Sequence, residues 1–176
     1  MKLLQGEAFD NLIRSSRREA FHLEVQDDYN TEDGIEPFRN WQQGRTDDDY
    51  EWLRGWLDLV RDMTMRGVAV RRARVVTVPH TTYTRWLVEV SLQNADAGEE
   101  IRYAPRHLVD SSRLTTDDWW LLDDETVVFT TFEEDGRFAG AAVTHDPWII
   151  AYCKGVRDYV WSAAVPYADY VALQTQ

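Results

Sequence analysis

Residues 117–132, DDWWLLDDETVVFTTF, limit what this chain can fold into more than any other stretch. Side chains alternate across a strand, which sends Trp119, Leu121 and Asp123 to one side and Trp120 and Leu122 to the other. Both sides are apolar, the pattern of a central strand covered by a layer on each face. Asp124 and Glu125 are placed to turn the chain, and TVVFTTF returns beside the first strand. Asp135 and Gly136 suit a type I′ reversal, after which 138–143 forms a third strand of the meander, weakened by Gly140 and three alanines. A sheet of this kind requires helices on both faces.

The remaining sequence supplies them. Leu3, Leu4, Phe9, Leu12 and Ile13 fit one face of a helix within 1–20, with Arg14, Arg17 and Arg18 as solvated cations near its end. In 21–25, Phe21, Leu23 and Val25 alternate with His22 and Glu24, the period of a half-buried strand. Between 27 and 51, nine acidic residues meet only Arg39 and Arg45, so a solvated loop is expected, with a short helix over 37–43 capped by Gly44. The segment DDYNTEDG is not a calcium loop of the EF-hand type, because Asn40 stands where a ligating glutamate is needed.

The clearest helix of the first half is 49–66, with Trp52, Leu53, Trp56, Leu57, Val60 and Met63 on one stripe and Gly67 as its stop. A valine-rich strand over 68–78 follows directly. In it Arg72 and Arg74 share a side with Val68, Val70, Val76 and Val78; either both face the interior and need carboxylate or carbonyl partners, or a bulge turns them outward. A helix opening at Pro79 presents Tyr83, Trp86, Leu87, Val90 and Asn94 and ends before Gly98, and EEIRYAPR reads as a short strand. The last long helix takes Asp146 as N-cap and Pro147 as its first residue, with Ile149, Cys153, Val156, Val160 and Ala164 as its apolar stripe; Pro166 ends it and 167–173 adds a turn or two. The fold class is α/β: one domain over 1–176, a mixed sheet flanked by helices.

Charge and composition narrow the function classes. Nineteen basic against 31 acidic side chains leave a net charge of −12, which disfavours direct nucleic-acid binding and anionic membrane surfaces. No stretch approaches the roughly 18 apolar residues of a membrane helix. A lone cysteine and an N-terminus without a signal-peptide run make the cytoplasm the expected location.

Chemistry is sparse. His22, His80, His107 and His145 show no zinc-site spacing, and there is no phosphate-binding glycine loop, nucleophile elbow or dinucleotide fingerprint. Cys153, on an apolar stripe with no cation beside it, reads as a small buried hydrophobe. Asp123 and Asp124 point apart at a strand end and read as a turn rather than an acid–base pair. No cofactor or metal is expected. The candidate ligand-binding residues are Glu24, Arg74, Tyr83, Arg102, Trp120 and Asp123, which would suit a small anionic ligand if they converge in a cleft.

Two resemblances add to this. Phe21-His22-Leu23-Glu24, Arg72-Ala73-Arg74-Val75-Val76 with Pro79 and Tyr83, Gly98-Glu99-Glu100-Ile101-Arg102-Tyr103, Asp118-Trp119-Trp120-Leu121-Leu122-Asp123, and Ala164-Val165-Pro166 with Tyr170 resemble an actinobacterial family known as a domain of unknown function. Its members are often encoded beside Xre-type helix-turn-helix regulators and small acidic partners, so the resemblance implies a regulatory role. The order of elements, from the helix before Gly67 through the DDWWLLDD hairpin to Asp146-Pro147 and Trp161-Ser162-Ala163-Ala164, is similar to one half of a phospholipase D-like domain. That family carries His, one residue, Lys, four residues, Asp on the equivalent strand. Here those positions fall on Thr116, Asp118 and Asp123, so the resemblance implies a degenerate site without the nucleophile or the phosphate-binding lysine.

The expected function is a non-catalytic regulatory or ligand-sensing protein partnering a cytosolic helix-turn-helix transcription regulator. The alternative is a phosphodiester- or nucleotide-directed enzyme with a rearranged site of Glu24, Arg74, Arg102 and His107.

Overall fold

The computed structural model describes residues 3–30, 32–45 and 49–174. Among them seven strands form one mixed sheet: β1 (Glu19–Glu24), β2 (Ala69–Val76), β3 (Glu100–Pro105), β4 (Trp119–Leu122), β5 (Thr126–Phe132), β6 (Phe138–Thr144) and β7 (Val165–Pro166), in the order β6-β5-β4-β1-β2-β3-β7. The first three are parallel to one another, and every other pairing is antiparallel. The helices are α1 (Gly6–Arg14), α2 (Ile35–Gln42), α3 (Arg54–Met65), α4 (Thr82–Asp96), α5 (Pro147–Ala163) and α6 (Tyr167–Gln174).

Parallel neighbours need crossovers, and α3 and α4 supply them. Each ends in the same way. The amides of Gly67 and Val68 return to the carbonyls of Thr64 and Met63 at 2.9 and 3.0 Å, and those of Gly98 and Glu99 return to Ala95 and Asn94 at 2.9 and 3.1 Å. Both are Schellman closures with a left-handed glycine, at φ 83° and 106°. They drop the chain from helix into strand with no intervening loop, which fixes where β2 and β3 begin.

The core is split by the sheet. On one face Phe21, Leu23, Ala73, Val75, Trp119, Leu121 and Val127 pack against Cys153, Val156 and Val160 of α5. On the other, Val70, Trp120, Leu122 and Val128 pack against Leu57, Val60 and Met63 of α3 and Ile13 of α1. β4 is therefore covered on both sides, as its sequence requires. So is β1, and here the expected half-buried strand is corrected: His22 and Glu24 are buried too, because α3 and α4 roof the face that alternation alone would leave to water.

The reversals differ by small shifts. Asp123 and Asp124, not Asp124 and Glu125, occupy the left-handed positions of the β4–β5 turn at φ 54° and 63°, closed by Glu125 N–H to the Leu122 carbonyl at 2.9 Å. Between β5 and β6 only Gly136 is left-handed, so that hairpin is a longer turn and Asp135 is not part of a type I′ pair. The α4 helix starts at Thr82 with Thr81 as its cap, its hydroxyl accepting the Thr84 amide at 3.0 Å, three residues after the expected start at Pro79. Leu4 is not helical but bridges to Ala141 beside β6. That crossing explains Gly140: any Cβ there would lie 2.6 Å from Leu3.

Asp123 has a second task. Its carboxylate accepts the amides of Arg17, Arg18 and Glu19 at 2.9, 2.7 and 3.0 Å, anchoring the start of β1. These amides hold its carboxyl below the usual carboxylate range despite partial burial. Replacing Asp123 by Ala orphans three donors and places a Cβ-bearing residue without a local acceptor in left-handed geometry. We expect a loss of about 2–4 kcal/mol in urea unfolding, with Asp123→Asn losing less.

Candidate functional site

The site is built on the carboxyl ends of β1 and β2 and the start of β4. The parallel register sets His22 beside Arg72 and Glu24 beside Arg74, and the antiparallel register sets Trp120 against His22 from the other side. Positions two apart share a face, so these side chains rise together beneath α3 and α4. The imidazole of His22 stacks on Trp120, with centroids 4.1 Å apart and planes at 11°.

The two inward arginines are not equivalent. Arg72 Nε donates to Glu99 Oε1 at 2.6 Å and its Nη1 donates to Glu24 Oε1, while the rings of Trp56 and Trp120 lie 5.5 and 5.9 Å from the guanidinium carbon. Glu99 also accepts from Asn94 Nδ2 at 3.0 Å and Trp56 Nε1 at 3.4 Å. This is a closed charge network, which is what two buried carboxylates and a buried guanidinium require. Burial opposes a charged Glu24, but Arg72 and Arg74 outweigh it and hold its carboxyl at about 2.

Arg74 is left over. Its Nε lies 2.9 Å from Glu24 Oε2 in a geometry that makes no hydrogen bond, and neither Nε nor Nη1 has a hydrogen-bond partner although the side chain is only 7% exposed. Buried guanidinium nitrogens are normally satisfied.

Asp118 closes the same space from the edge of β4. It accepts the Val25 amide at 2.7 Å and the Tyr29 hydroxyl at 2.6 Å. Burial first, and then the charge of Glu24, push its carboxyl up to about 7, against the pull of those two donors. His22 moves the other way. Burial and the neighbouring arginines press its imidazole down to about 3, so the ring is neutral across the physiological range.

Above these groups lies a cleft of about 470 Å³, in the range of small-molecule sites. Its walls include Tyr29, Trp56, Tyr83, Trp86, Trp120 and Phe132, and Glu24, Arg74 and Asp118 stand in its floor. None of the described residues that line it is a serine, cysteine or lysine. Cys153 sits on the opposite face of the sheet, its thiol pushed up to about 11 by burial. No group of three His, Cys, Asp or Glu side chains among the described residues could hold a metal ion.

Four of the six residues expected from the sequence, Glu24, Arg74, Tyr83 and Trp120, line this cleft. Two do not. Arg102 alternates to the other face of β3, where its guanidinium lies 4.3 Å from the Trp161 ring centroid and donates to the Trp161 carbonyl at 2.9 Å. Asp123 is at the far end of β4, roughly 17 Å of strand away, capping amides. The set Glu24, Arg74, Arg102 and His107 likewise does not converge, since His107 is exposed in a short 3-10 turn at 106–108. The residues missed were Asp118, Tyr29 and His22.

The profile of a "Domain of unknown function (DUF6879)" matches residues 7–172. The chain belongs to the DUF6879 family. The matched span holds all seven strands and every residue of the charge network, so in this DUF6879 domain the described lining of the cleft, Gly6 apart, lies within the unit that defines the family. No curated protein matches the chain.

Proposed function

We propose that the chain is a non-catalytic ligand-sensing domain whose cleft takes a small molecule bearing an anionic group or a strongly accepting oxygen. One observation carries this: Arg74 lines the cleft with Nε and Nη1 buried and without a hydrogen-bond partner, while the adjacent Arg72 donates from both of these atoms to Glu99 and Glu24. An oxyanion at Arg74 would complete its hydrogen bonds, aromatic walls would hold the ligand's body, and Asp118 would accept from a donor on it.

The cleft carries its own reporters, since Trp52, Trp56, Trp86 and Trp120 all line it. Titrating aromatic carboxylates should therefore change tryptophan emission saturably. The Arg74→Met variant should bind at least about tenfold more weakly, the loss of one charge-assisted contact. Binding that is indifferent to Arg74 would remove the reading.

A phospholipase D-like origin belongs to the same proposal. The order of elements supports it, and the position corresponding to the catalytic lysine is Asp118, which faces the cleft, whereas that of the histidine, Thr116, is exposed. A carboxyl in place of the lysine suits recognition of a donor and not stabilisation of a phosphoryl group.

The readout is proposed to be a cytosolic helix-turn-helix regulator, whose basic surface would complement a chain of net charge −12. Co-purification of such a regulator, weakened by reversing the acidic run 47–49, supports this; no change on reversal counts against it. Asp47 and Asp48 lie outside the described residues. No helix among the described residues is long and apolar enough to cross a membrane.

A further inference from the structure

We infer that the ligand is an elongated zwitterion, with an anionic head at Arg74 and a cationic group in the acidic compartment beside it; this rests on the ligand-site reading above and names the ligand's chemistry. Arg74 asks for an acceptor at the buried end, with its Nη1 unpartnered and the side chain 7% exposed. The compartment beside it asks for the opposite charge. A second compartment of about 700 Å³ abuts the first, the two sharing Asp33, Trp52, Trp86 and Val90 as walls. Among the described residues its lining brings together Asp33, Glu36, Asp49, Glu51 and Glu89 against a single cation, Arg45. Glu51 is paired with Arg54, and Glu89 accepts from Trp41 Nε1 at 2.8 Å, which fixes that carboxylate beside an indole.

A simple anion matches Arg74 and leaves the acidic compartment beside it without a counter-charge. A simple cation matches the acidic compartment and leaves Arg74 Nη1 without an acceptor. A molecule with both groups meets complementary charge at each, and the indoles of Trp41, Trp52 and Trp86 that line the acidic compartment add ring faces for the cationic group. A rigid body between the two charges suits the wall common to both compartments, where the rings of Trp52 and Trp86 stack on each other 5.5 Å apart at 23°.

Three probes on one ring separate the charges: 4-methylbenzoate carries the anion, 4-methylbenzylamine the cation, and 4-(aminomethyl)benzoate both. Isothermal titration of the full chain should show the third binding about tenfold tighter than either of the others. That advantage over 4-methylbenzoate should shrink to about twofold in Glu36→Gln/Glu89→Gln, which removes two charges of the acidic compartment and leaves the Arg74 floor intact. If 4-methylbenzoate matches the zwitterion and both are lost in Arg74→Met, the zwitterion is wrong and the ligand site stands. If no probe binds, or all bind equally with and without Arg74, both are overturned.

Discussion

Arg72→Met should unfold at a much lower urea concentration than the wild-type protein, with a loss of about 3–5 kcal/mol. The side chain is 10% exposed and joins two carboxylates, Glu24 and Glu99, the latter fully buried. Removing the cation leaves both acids without their main counter-charge beneath α3 and α4, and methionine fills the volume but satisfies neither. Arg72→Lys should recover only part of the loss, because an ammonium cannot span two carboxylates in a planar fork. Restoring the deficit requires removing charge on the other side, so Arg72→Met combined with Glu24→Gln should lose less than Arg72→Met alone.

The second large effect is in pH dependence, where two buried groups oppose each other. His22 has a folded-state value near 3 against an ordinary 6.5, so the unfolded chain binds more protons between these limits. Its contribution is fully present above about pH 6.5 and is lost as pH falls toward 3, on the order of 5 kcal/mol. Asp118 is held near 7 against an ordinary 3.8, so the folded chain binds more protons, and stability falls as pH rises from about 4 to 7. Wild-type stability should therefore be nearly flat between about pH 4 and 6.5. His22→Phe keeps the stack on Trp120 and forfeits no hydrogen bond, since neither ring nitrogen has one; its stability should fall with rising pH. Asp118→Asn should do the reverse and gain stability with rising pH. Urea midpoints at a series of pH values decide this: parallel profiles for the two variants would show that these groups do not titrate as their surroundings dictate.

Much of the fold could be read from local pattern because it is set by local chemistry. Gly67 and Gly98 terminate helices through bonds to the turn before them, and the apolar alternation of Trp119 to Leu122 survives any change of neighbour. The Asp146 cap, accepting the Trp148 and Ile149 amides at 2.8 and 3.3 Å, is likewise complete within four residues. The boundaries that moved, such as the shift of the β4–β5 turn onto Asp123, depend on partners more than 100 residues away in the chain.

The site was half legible for the same reason. Periodicity put Arg72 and Arg74 on the inward face of β2 as one of two alternatives, and the structure takes that one. Alternation along β3 would have sent Arg102 to the face opposite Ile101 and Tyr103, but no local signal says which face carries the cleft. Asp118 was read only as a misfit for phosphate. Its meaning depends on Tyr29 and Val25, brought to it by the β1–β4 pairing. His22 and Glu24 looked like the wet side of a strand, and only the crossovers above them make that side dry.

The distinction between a structural Arg72 and an Arg74 reserved for a ligand is the centre of this interpretation. Equilibrium urea unfolding of Arg72→Met and Arg74→Met, measured side by side without ligand, tests it most directly. Arg74 meets Glu24 as an ion pair at 2.9 Å without a hydrogen bond from Nε or Nη1, and Glu24 keeps Arg72 when Arg74 is removed, so Arg74→Met should lose only about 1–2 kcal/mol, clearly less than Arg72→Met. A loss in Arg74→Met as large as that in Arg72→Met would contradict it, and would make both arginines parts of the scaffold.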